Sequence, residues 1–185
     1  MIDKHQLRIQ MRARRKRLAG LDSQAAYRAA EHATALPAGQ ATALYRAVGS
    51  EMDADPLAVA LDRAGRILCL PVVIERDTAL VFRRWTPGEP LAPDAIGLPA
   101  PLPSAPEVRP DLIVAPLLAF DLNGGRLGQG GGYYDRTFAE RPNTVRIGLA
   151  YAGQQIEALP IEAHDLPLHG VLTEVGYEAC PGISR

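Results

Sequence analysis

Residues 111–140 constrain the fold of this 185-residue chain more than any other segment. Residues 111–119 form a nearly continuous apolar run, which predicts a strand that is covered on both faces of its sheet. Six of the 17 glycines then fall between Gly124 and Gly132, and residues 133–140 predict a helix. A strand, a glycine-rich loop and a helix N-terminus together are typical of a binding site for an anion such as phosphate.

This glycine-rich loop could also be a flexible surface segment, which is the commoner reason for a run of glycines. Ordering six glycines costs roughly 3–6 kcal/mol relative to alanine, so an ordered loop is expected to serve a ligand. The loop also carries an arginine, two tyrosines and an aspartate, whereas linkers favour serine and threonine. It matches neither common phosphate pattern, because it contains no lysine for a Walker motif and Tyr133 interrupts the dinucleotide pattern.

The rest of the chain alternates between predicted helices and strands. Helices are predicted over residues 3–19 and 22–36, and a third begins at Asp55-Pro56 and ends near Gly65. Further strands are predicted over residues 43–48, 66–73, 79–85, 144–151 and 171–177. This alternation predicts an α/β fold, a single three-layer domain over residues 1–185 in which helices flank a mainly parallel or mixed sheet.

Composition excludes several classes of protein. The chain is 47% hydrophobic and 22% charged with a net charge of −1, which is typical of a globular protein. No apolar run approaches the roughly 20 residues of a membrane span, and Cys69 and Cys180 cannot build a disulfide framework or a zinc ribbon. Residues 87–110 hold eight of the 16 prolines, so we expect an extended connection there that packs on the same domain.

Seven cations crowd onto the first predicted helix, against one acid, Asp3. They are Lys4, Arg8, Arg12, Arg14, Arg15, Lys16 and Arg17. Such a run can be a solvated helix face, an arm that binds nucleic acid or a targeting peptide. The sequence alone favours the solvated face, because the chain is not basic as a whole and no aromatic residues alternate with these cations.

The string Arg126-Leu-Gly-Gln-Gly-Gly-Gly-Tyr-Tyr-Asp-Arg136 closely resembles the signature of the 5-formyltetrahydrofolate cyclo-ligase family, also called methenyltetrahydrofolate synthetases. Further matches are distributed over nearly the whole chain. They are Lys4, Arg8, Tyr45, Arg46, Glu51, Phe120, Asp121, Gly125, Pro160, His164, Asp165, Thr173 and Glu174. The chain departs from the family pattern at Ala100, at Gln129, where relatives often have a basic or aromatic residue, and at His169.

The resemblance implies a reaction and a set of site residues. The reaction closes 5-formyltetrahydrofolate to 5,10-methenyltetrahydrofolate with ATP and Mg²⁺, through phosphorylation of the formyl oxygen and attack by N10, and it releases ADP and phosphate. The implied nucleotide-binding residues are Lys4, Arg8, Arg126, Leu127, Gly128, Gln129, Gly130, Gly131, Gly132, Tyr133 and Tyr134. The implied folate-binding residues are Arg46, Glu51, Gln129, Gly130, Gly131, Gly132 and Tyr133. Asp135 and Asp165 are the implied Mg²⁺ ligands, and no covalent nucleophile is implied.

Simpler interpretations stay open for several of these residues. Asp135 could complement the dipole of the following helix, Asp165 could be a turn residue, and Glu51 could cap a turn. A zinc site at His164 and His169 is disfavoured, because no third ligand has a suitable spacing. The single tryptophan is expected to pack in the core rather than to stack on a ligand.

The leading hypothesis is a cytoplasmic, monomeric cyclo-ligase whose partners are a folate and ATP, with no membrane or nucleic-acid partner. The first alternative is a non-catalytic relative that binds RNA or a nucleotide through the basic helix. The second is an enzyme of sugar phosphates or coenzyme A on a similar α/β scaffold. The intact glycine string favours the cyclo-ligase over this second alternative.

Overall fold

The computed structural model describes residues 3–160 and 165–181. The helices in this part of the chain are α1 (Lys4–Leu21), α2 (Ala25–Glu31), α3 (Asp55–Arg63) and α4 (Tyr133–Glu140), with short 3-10 turns at Ala33–Ala35 and Ala152–Gln154. The strands are β1 (Ala41–Ala43), β2 (Ile67–Val72), β3 (Val81–Arg84), β4 (Leu91–Pro93), β5 (Pro99–Pro101), β6 (Leu112–Pro116), β7 (Ala119–Phe120), β8 (Arg126–Leu127), β9 (Val145–Leu149), β10 (Gly170–Thr173) and β11 (Gly176–Ala179).

One mixed sheet organises the described residues. Its seven strands follow the order β11-β10-β9-β6-β1-β2-β3. The pairings from β10 through β9, β6 and β1 to β2 are parallel, whereas β11 and β3 pair antiparallel at the two edges. The predicted α/β fold, a mainly parallel mixed sheet with flanking helices, is therefore confirmed.

The central strand β6 shows why helices cover both faces of this sheet. Leu112, Ile113, Val114 and Ala115 are all fully buried, as the apolar run predicts. Because side chains alternate along a strand, Leu112 and Val114 pack with α2 and α3 residues on one face. Ile113 and Ala115 face the other way and pack with Phe138 of α4.

Some element boundaries differ from the predictions. The strand predicted over 43–48 lies earlier, at Ala41–Ala43, and the buried Tyr45 beyond it donates its hydroxyl to the Met52 carbonyl at 2.6 Å. The segment 171–177 is a hairpin of β10 and β11 rather than one strand, and Gly176 has a φ of +152° at its turn. The second helix ends at Glu31 and continues only as a 3-10 turn.

The proline-rich segment 87–110 is extended, and β4 and β5 pair within it as a short antiparallel ribbon. The Asp94 carboxylate ties this ribbon to the end of β2, since it accepts from the backbone N–H groups of Val73 at 3.0 Å and Leu98 at 2.9 Å. Among the described residues, no helix combines the length and the apolar character that a bilayer crossing needs.

Candidate active site

A cavity of about 280 Å³ opens at the edge of the sheet where the parallel strands end. Pro116 is the last residue of β6 and Val73 follows β2, and both line the cavity. Tyr45, Arg46 and Glu51, in the segment after β1, line it as well. Ligands of open α/β sheets bind at this carboxyl edge, so the topology by itself marks the cavity as a candidate site.

The glycine-rich loop between β8 and α4 forms one wall of this cavity, which is called the large cavity below. Gly130 has a φ of +103° and Gly132, which caps α4, has a φ of +68°, values that favour glycine. The predicted site residues that line the cavity are Arg46, Glu51, Arg126, Gly128, Gln129, Gly130, Gly131, Gly132, Tyr133, Tyr134 and Asp135. Leu127 does not line it, because its side chain packs in the core with Leu7 and Met11 of α1.

Asp121 shapes the hairpin that leads into this loop. Its buried carboxylate accepts from the N–H groups of Asn123 and Gly125, both at 2.9 Å, and of Leu159 at 2.8 Å. A Cβ on Gly125 would lie only 2.5 Å from this carboxylate, so a larger residue does not fit. Asp121 and Gly125 of the signature therefore set the direction in which Arg126 leaves the turn.

Helix α1 lies against the outside of the glycine-rich loop. Arg8 Nε donates to the Gly128 carbonyl at 3.2 Å. Arg12 donates from Nε to Gln129 Oε1 at 2.9 Å and from Nη2 to the Gln129 carbonyl at 3.1 Å. Arg15 is buried, so the interpretation of the cations as a solvated face is wrong for this residue. The sequence did not single out Arg12 or Arg15.

A second, smaller cavity of about 140 Å³ adjoins the first and contains both predicted metal ligands, Asp135 and Asp165. Arg126 lies between the cavities and lines both, as does Asp135, with which it forms an ion pair. Lys4 Nζ lies 3.3 Å from Asp165 Oδ2, so these two predicted site residues are in contact. Across residues 3–160 and 165–181, no cluster of three or more His, Cys, Asp or Glu side chains is suited to a metal, and His164 lies outside that range.

Glu51 caps a turn and also lines the large cavity. Its Oε2 accepts from the Val48 N–H at 2.9 Å, which caps a turn, and the same side chain lines the large cavity. Arg46 forms an ion pair with Asp55 at the start of α3. Its guanidinium carbon also lies 5.8 Å from the centre of the Trp85 ring. Trp85 itself is buried in the core, as expected.

Two tyrosines at the large cavity keep their protons at neutral pH. Burial is the main cause that raises the pKa of Tyr45 and of Tyr134, and the Glu51 carboxylate raises both further. Neutral phenols, apolar walls and the buried Glu51 carboxylate suit a flat ligand that offers N–H donors. Both cavities carry charged residues, since Arg126 and Asp135 line both and Asp165 lines the smaller one.

Comparison with known proteins identifies the family. A model of the 5-formyltetrahydrofolate cyclo-ligase family matches residues 1–174. The 5-formyltetrahydrofolate cyclo-ligases of Escherichia coli K12 and Haemophilus influenzae are each 36% identical, over 71% and 70% of this chain and 76% and 73% of their own lengths.

Solved structures agree with this match. A 5,10-methenyltetrahydrofolate synthetase from Aquifex aeolicus superposes with a TM-score of 0.77 at 28% identity, over 98% of this chain and 95% of the other. One from Mycoplasma pneumoniae, 22% identical, shares the fold with a TM-score of 0.73 over 94% and 99%. The chain therefore belongs to the 5-formyltetrahydrofolate cyclo-ligase family, and the enzyme class that its glycine-rich loop predicts is confirmed.

Proposed function

We propose that this chain converts 5-formyltetrahydrofolate to 5,10-methenyltetrahydrofolate with ATP and Mg²⁺. The observation that carries the proposal is that Arg126 and Asp135 border both cavities. A formyl oxygen at this boundary of the large cavity is next to the charged groups that phosphoryl transfer requires. The two substrates would then meet without either leaving its own cavity.

The large cavity suits the folate. One wall is apolar and comes from the segment between β2 and β3 and from the proline-rich segment. The residues of this wall are Val73, Leu80, Ile96, Leu98 and Pro99. Glu51 supplies a carboxylate that can accept N–H donors of a pterin ring, and Tyr133 offers an aromatic face at the glycine-rich loop.

The phosphates of ATP would bind where α1, the glycine-rich loop and the start of α4 meet. Lys4 and Arg8 lie on one face of α1, one helical turn apart, and Arg8 already contacts the loop at Gly128. Arg126 adds a third cation, and its side chain is only 7% exposed. A cation so shielded from water acts more strongly on developing negative charge than one at the surface.

Asp135 and Asp165 form a donor set that fits Mg²⁺. Both are carboxylates, both line the smaller cavity, and each already lies beside a cation that a phosphate could also contact. Two carboxylates leave the remaining positions to water and phosphate oxygens, which is how Mg²⁺ is usually held. When bound there, Mg²⁺ would neutralise charge on the transferred phosphoryl group.

The chemistry needs positioned charge and no protein nucleophile. The formyl oxygen takes the terminal phosphoryl group of ATP, which turns a poor leaving group into a good one. ADP leaves as the phosphoryl group is transferred. N10 then attacks the formyl carbon, loses its proton to solvent, and phosphate departs. Arg126 would stabilise the charge that develops on the phosphoryl oxygens, while Glu51 and the apolar wall hold the ring so that N10 faces the carbon.

The alternative of an RNA-binding arm agrees less well with the structure. Lys4, Arg8, Arg12 and Arg15 of α1 all contact acceptors of this same chain. A basic arm that binds nucleic acid needs its cations to face outward. The contacts of α1 therefore support a helix that serves the active site.

The test is to mix the purified protein with 5-formyltetrahydrofolate and Mg-ATP and to follow the absorbance of the methenyl product. Reactions without ATP, and with EDTA in place of Mg²⁺, are the controls. Product that appears only in the complete mixture is expected, and a lack of ATP-dependent product would contradict the proposal. A monomeric state and a cytoplasmic location stay predictions, which size-exclusion chromatography and cell fractionation would test.

A further inference from the structure

Arg15 forms the most buried ion pair among the described residues. Its side chain is 5% exposed and that of its partner, Glu51, is 8% exposed. In every other ion pair of residues 3–160 and 165–181, at least one side chain is 29% exposed or more. A buried pair of charges adds little to stability by itself, so it calls for another explanation.

The guanidinium of Arg15 is held from three directions. Its Nη1 donates to the Leu117 carbonyl at 3.1 Å, and its Nε donates to Ser50 Oγ at 3.2 Å. The same Nη1 lies 3.6 Å from Glu51 Oε1. The Leu117 carbonyl follows the end of the central strand β6 and also accepts from Gln154 Nε2 at 2.9 Å. Arg15 is thus anchored beside the end of the buried central strand β6.

These contacts determine how Glu51 faces the large cavity. One carboxylate oxygen is held by the Val48 N–H and the other by Arg15, so the side chain has little freedom to rotate. Burial is the main cause that lowers the pKa of Arg15, and the Glu51 carboxylate is the largest influence in the opposite direction. The two groups are therefore electrostatic partners as well as neighbours.

We propose that Arg15 is a positioning residue for the folate, because it holds the Glu51 carboxylate at the wall of the large cavity. This inference rests on the proposed function, since it requires Glu51 to contact the folate. Helix α1 would then serve both substrates. Lys4 and Arg8 at one end face the nucleotide, and Arg15, two to three turns later, supports the folate site.

The experiment compares Arg15→Met and Arg15→Lys with the matched control Arg66→Met. Arg66 is a half-buried arginine that donates to Thr42 Oγ1 and the Pro37 carbonyl at the opposite edge of the sheet, away from both cavities. For each variant, kcat, the KM for 5-formyltetrahydrofolate, the KM for ATP and the melting temperature are measured. Arg15→Met is expected to raise the folate KM about tenfold. The reason is that the variant weakens the contact between Glu51 and the folate, which is equally strong in the ground state and the transition state.

The other measurements separate positioning from folding. We expect kcat and the ATP KM of Arg15→Met to stay close to those of the parent enzyme, and Arg15→Lys, which keeps the charge, to raise the folate KM less. Arg66→Met should lower the melting temperature and leave both KM values unchanged. Equal changes in the two KM values, or a loss of kcat alone, would overturn the inference.

A double variant keeps the test decisive if Arg15→Met does not fold. The effects of Arg15→Lys and Glu51→Gln on the folate KM should not be additive, because both substitutions act through the same carboxylate. Full additivity would contradict the positioning role. A parent enzyme without activity would instead contradict the proposed function, so the two failures can be distinguished.

Discussion

The two cavities that meet at Arg126 and Asp135 differ in what forms their walls. The larger one has an apolar wall from the proline-rich segment and from the segment between β2 and β3, whereas the smaller one adds Asp165 to the shared pair Arg126 and Asp135. A charged group next to an apolar wall is less screened by water than one on an open surface. In the proposed function, this contrast corresponds to ring binding in one cavity and phosphoryl transfer in the other, with Arg126 at their boundary.

Arg126→Met tests this shared boundary and should have the largest effect. Removal of a cation that stabilises a transferring phosphoryl group is expected to lower kcat about a thousandfold. Arg126→Lys should recover part of the rate, because the charge returns without the guanidinium. Arg84→Met, at an exposed position of the edge strand β3, is the control and should be nearly neutral. A similar fall in kcat in Arg126→Met and Arg84→Met would contradict a specific role of Arg126 in phosphoryl transfer.

Asp165→Asn tests the smaller cavity alone. The Mg²⁺ concentration that gives half of the maximal rate should rise by about tenfold to a hundredfold, the range seen when the support of a metal site is removed. The measurement is a Mg²⁺ titration at saturating ATP and folate. The KM for 5-formyltetrahydrofolate should not change, since Asp165 does not line the large cavity. A change in that KM with an unchanged Mg²⁺ titration would contradict the division between the cavities.

Lys4→Ala should affect the nucleotide rather than the folate. Loss of one phosphate contact is expected to raise the KM for ATP about tenfold, which corresponds to about 1.4 kcal/mol of binding free energy. Folate binding should persist, because Lys4 reaches Asp165 and not the large cavity. The measurement is the initial rate over a range of concentrations of each substrate. An equal rise in the KM values for ATP and for folate would show that Lys4 does not act on the nucleotide site alone.

Leu98→Ala tests the apolar wall and should have the smallest effect. The side chain lines the large cavity but is 39% exposed without a ligand, so its truncation should cost little stability. We expect the folate KM to rise about threefold, less than complete burial of a leucine would give. Leu102→Ala is a matched control, since Leu102 is 38% exposed and borders a different groove. The same shift in both variants would count against an apolar folate wall.

Local signals explain what the sequence could predict. Helix α4 covers Tyr133–Glu140, the range predicted for it, because a left-handed glycine at position 132 provides a sharp start. The apolar run around β6 predicted a strand covered on both faces, since alternate residues pack on opposite sides of the sheet. The signature of the glycine-rich loop is likewise contiguous, so it could be identified without the fold.

The remaining features depend on contacts between distant segments. Seven cations within 14 residues point in every direction around a helix, so periodicity could not single out Arg12 and Arg15 among them. What distinguishes these residues is Gln129 and Leu117, each more than 100 positions away. Eight prolines interrupt any recognisable period in the segment 87–110, so its contribution to the wall of the large cavity was not predicted either.

The contacts of α1 also have a consequence for how the protein is made. Lys4 and Asp165 are 161 positions apart, and Arg8 and Gly128 are 120 apart. The N-terminus leaves the ribosome first, so this helix is synthesised long before its partners exist. A nascent chain that stops short of residue 128 lacks both of these contacts, and one that stops short of residue 165 still lacks the partner of Lys4. The contacts that hold α1 in place are therefore completed in steps, and the contact between Lys4 and Asp165 forms only after translation has passed residue 165.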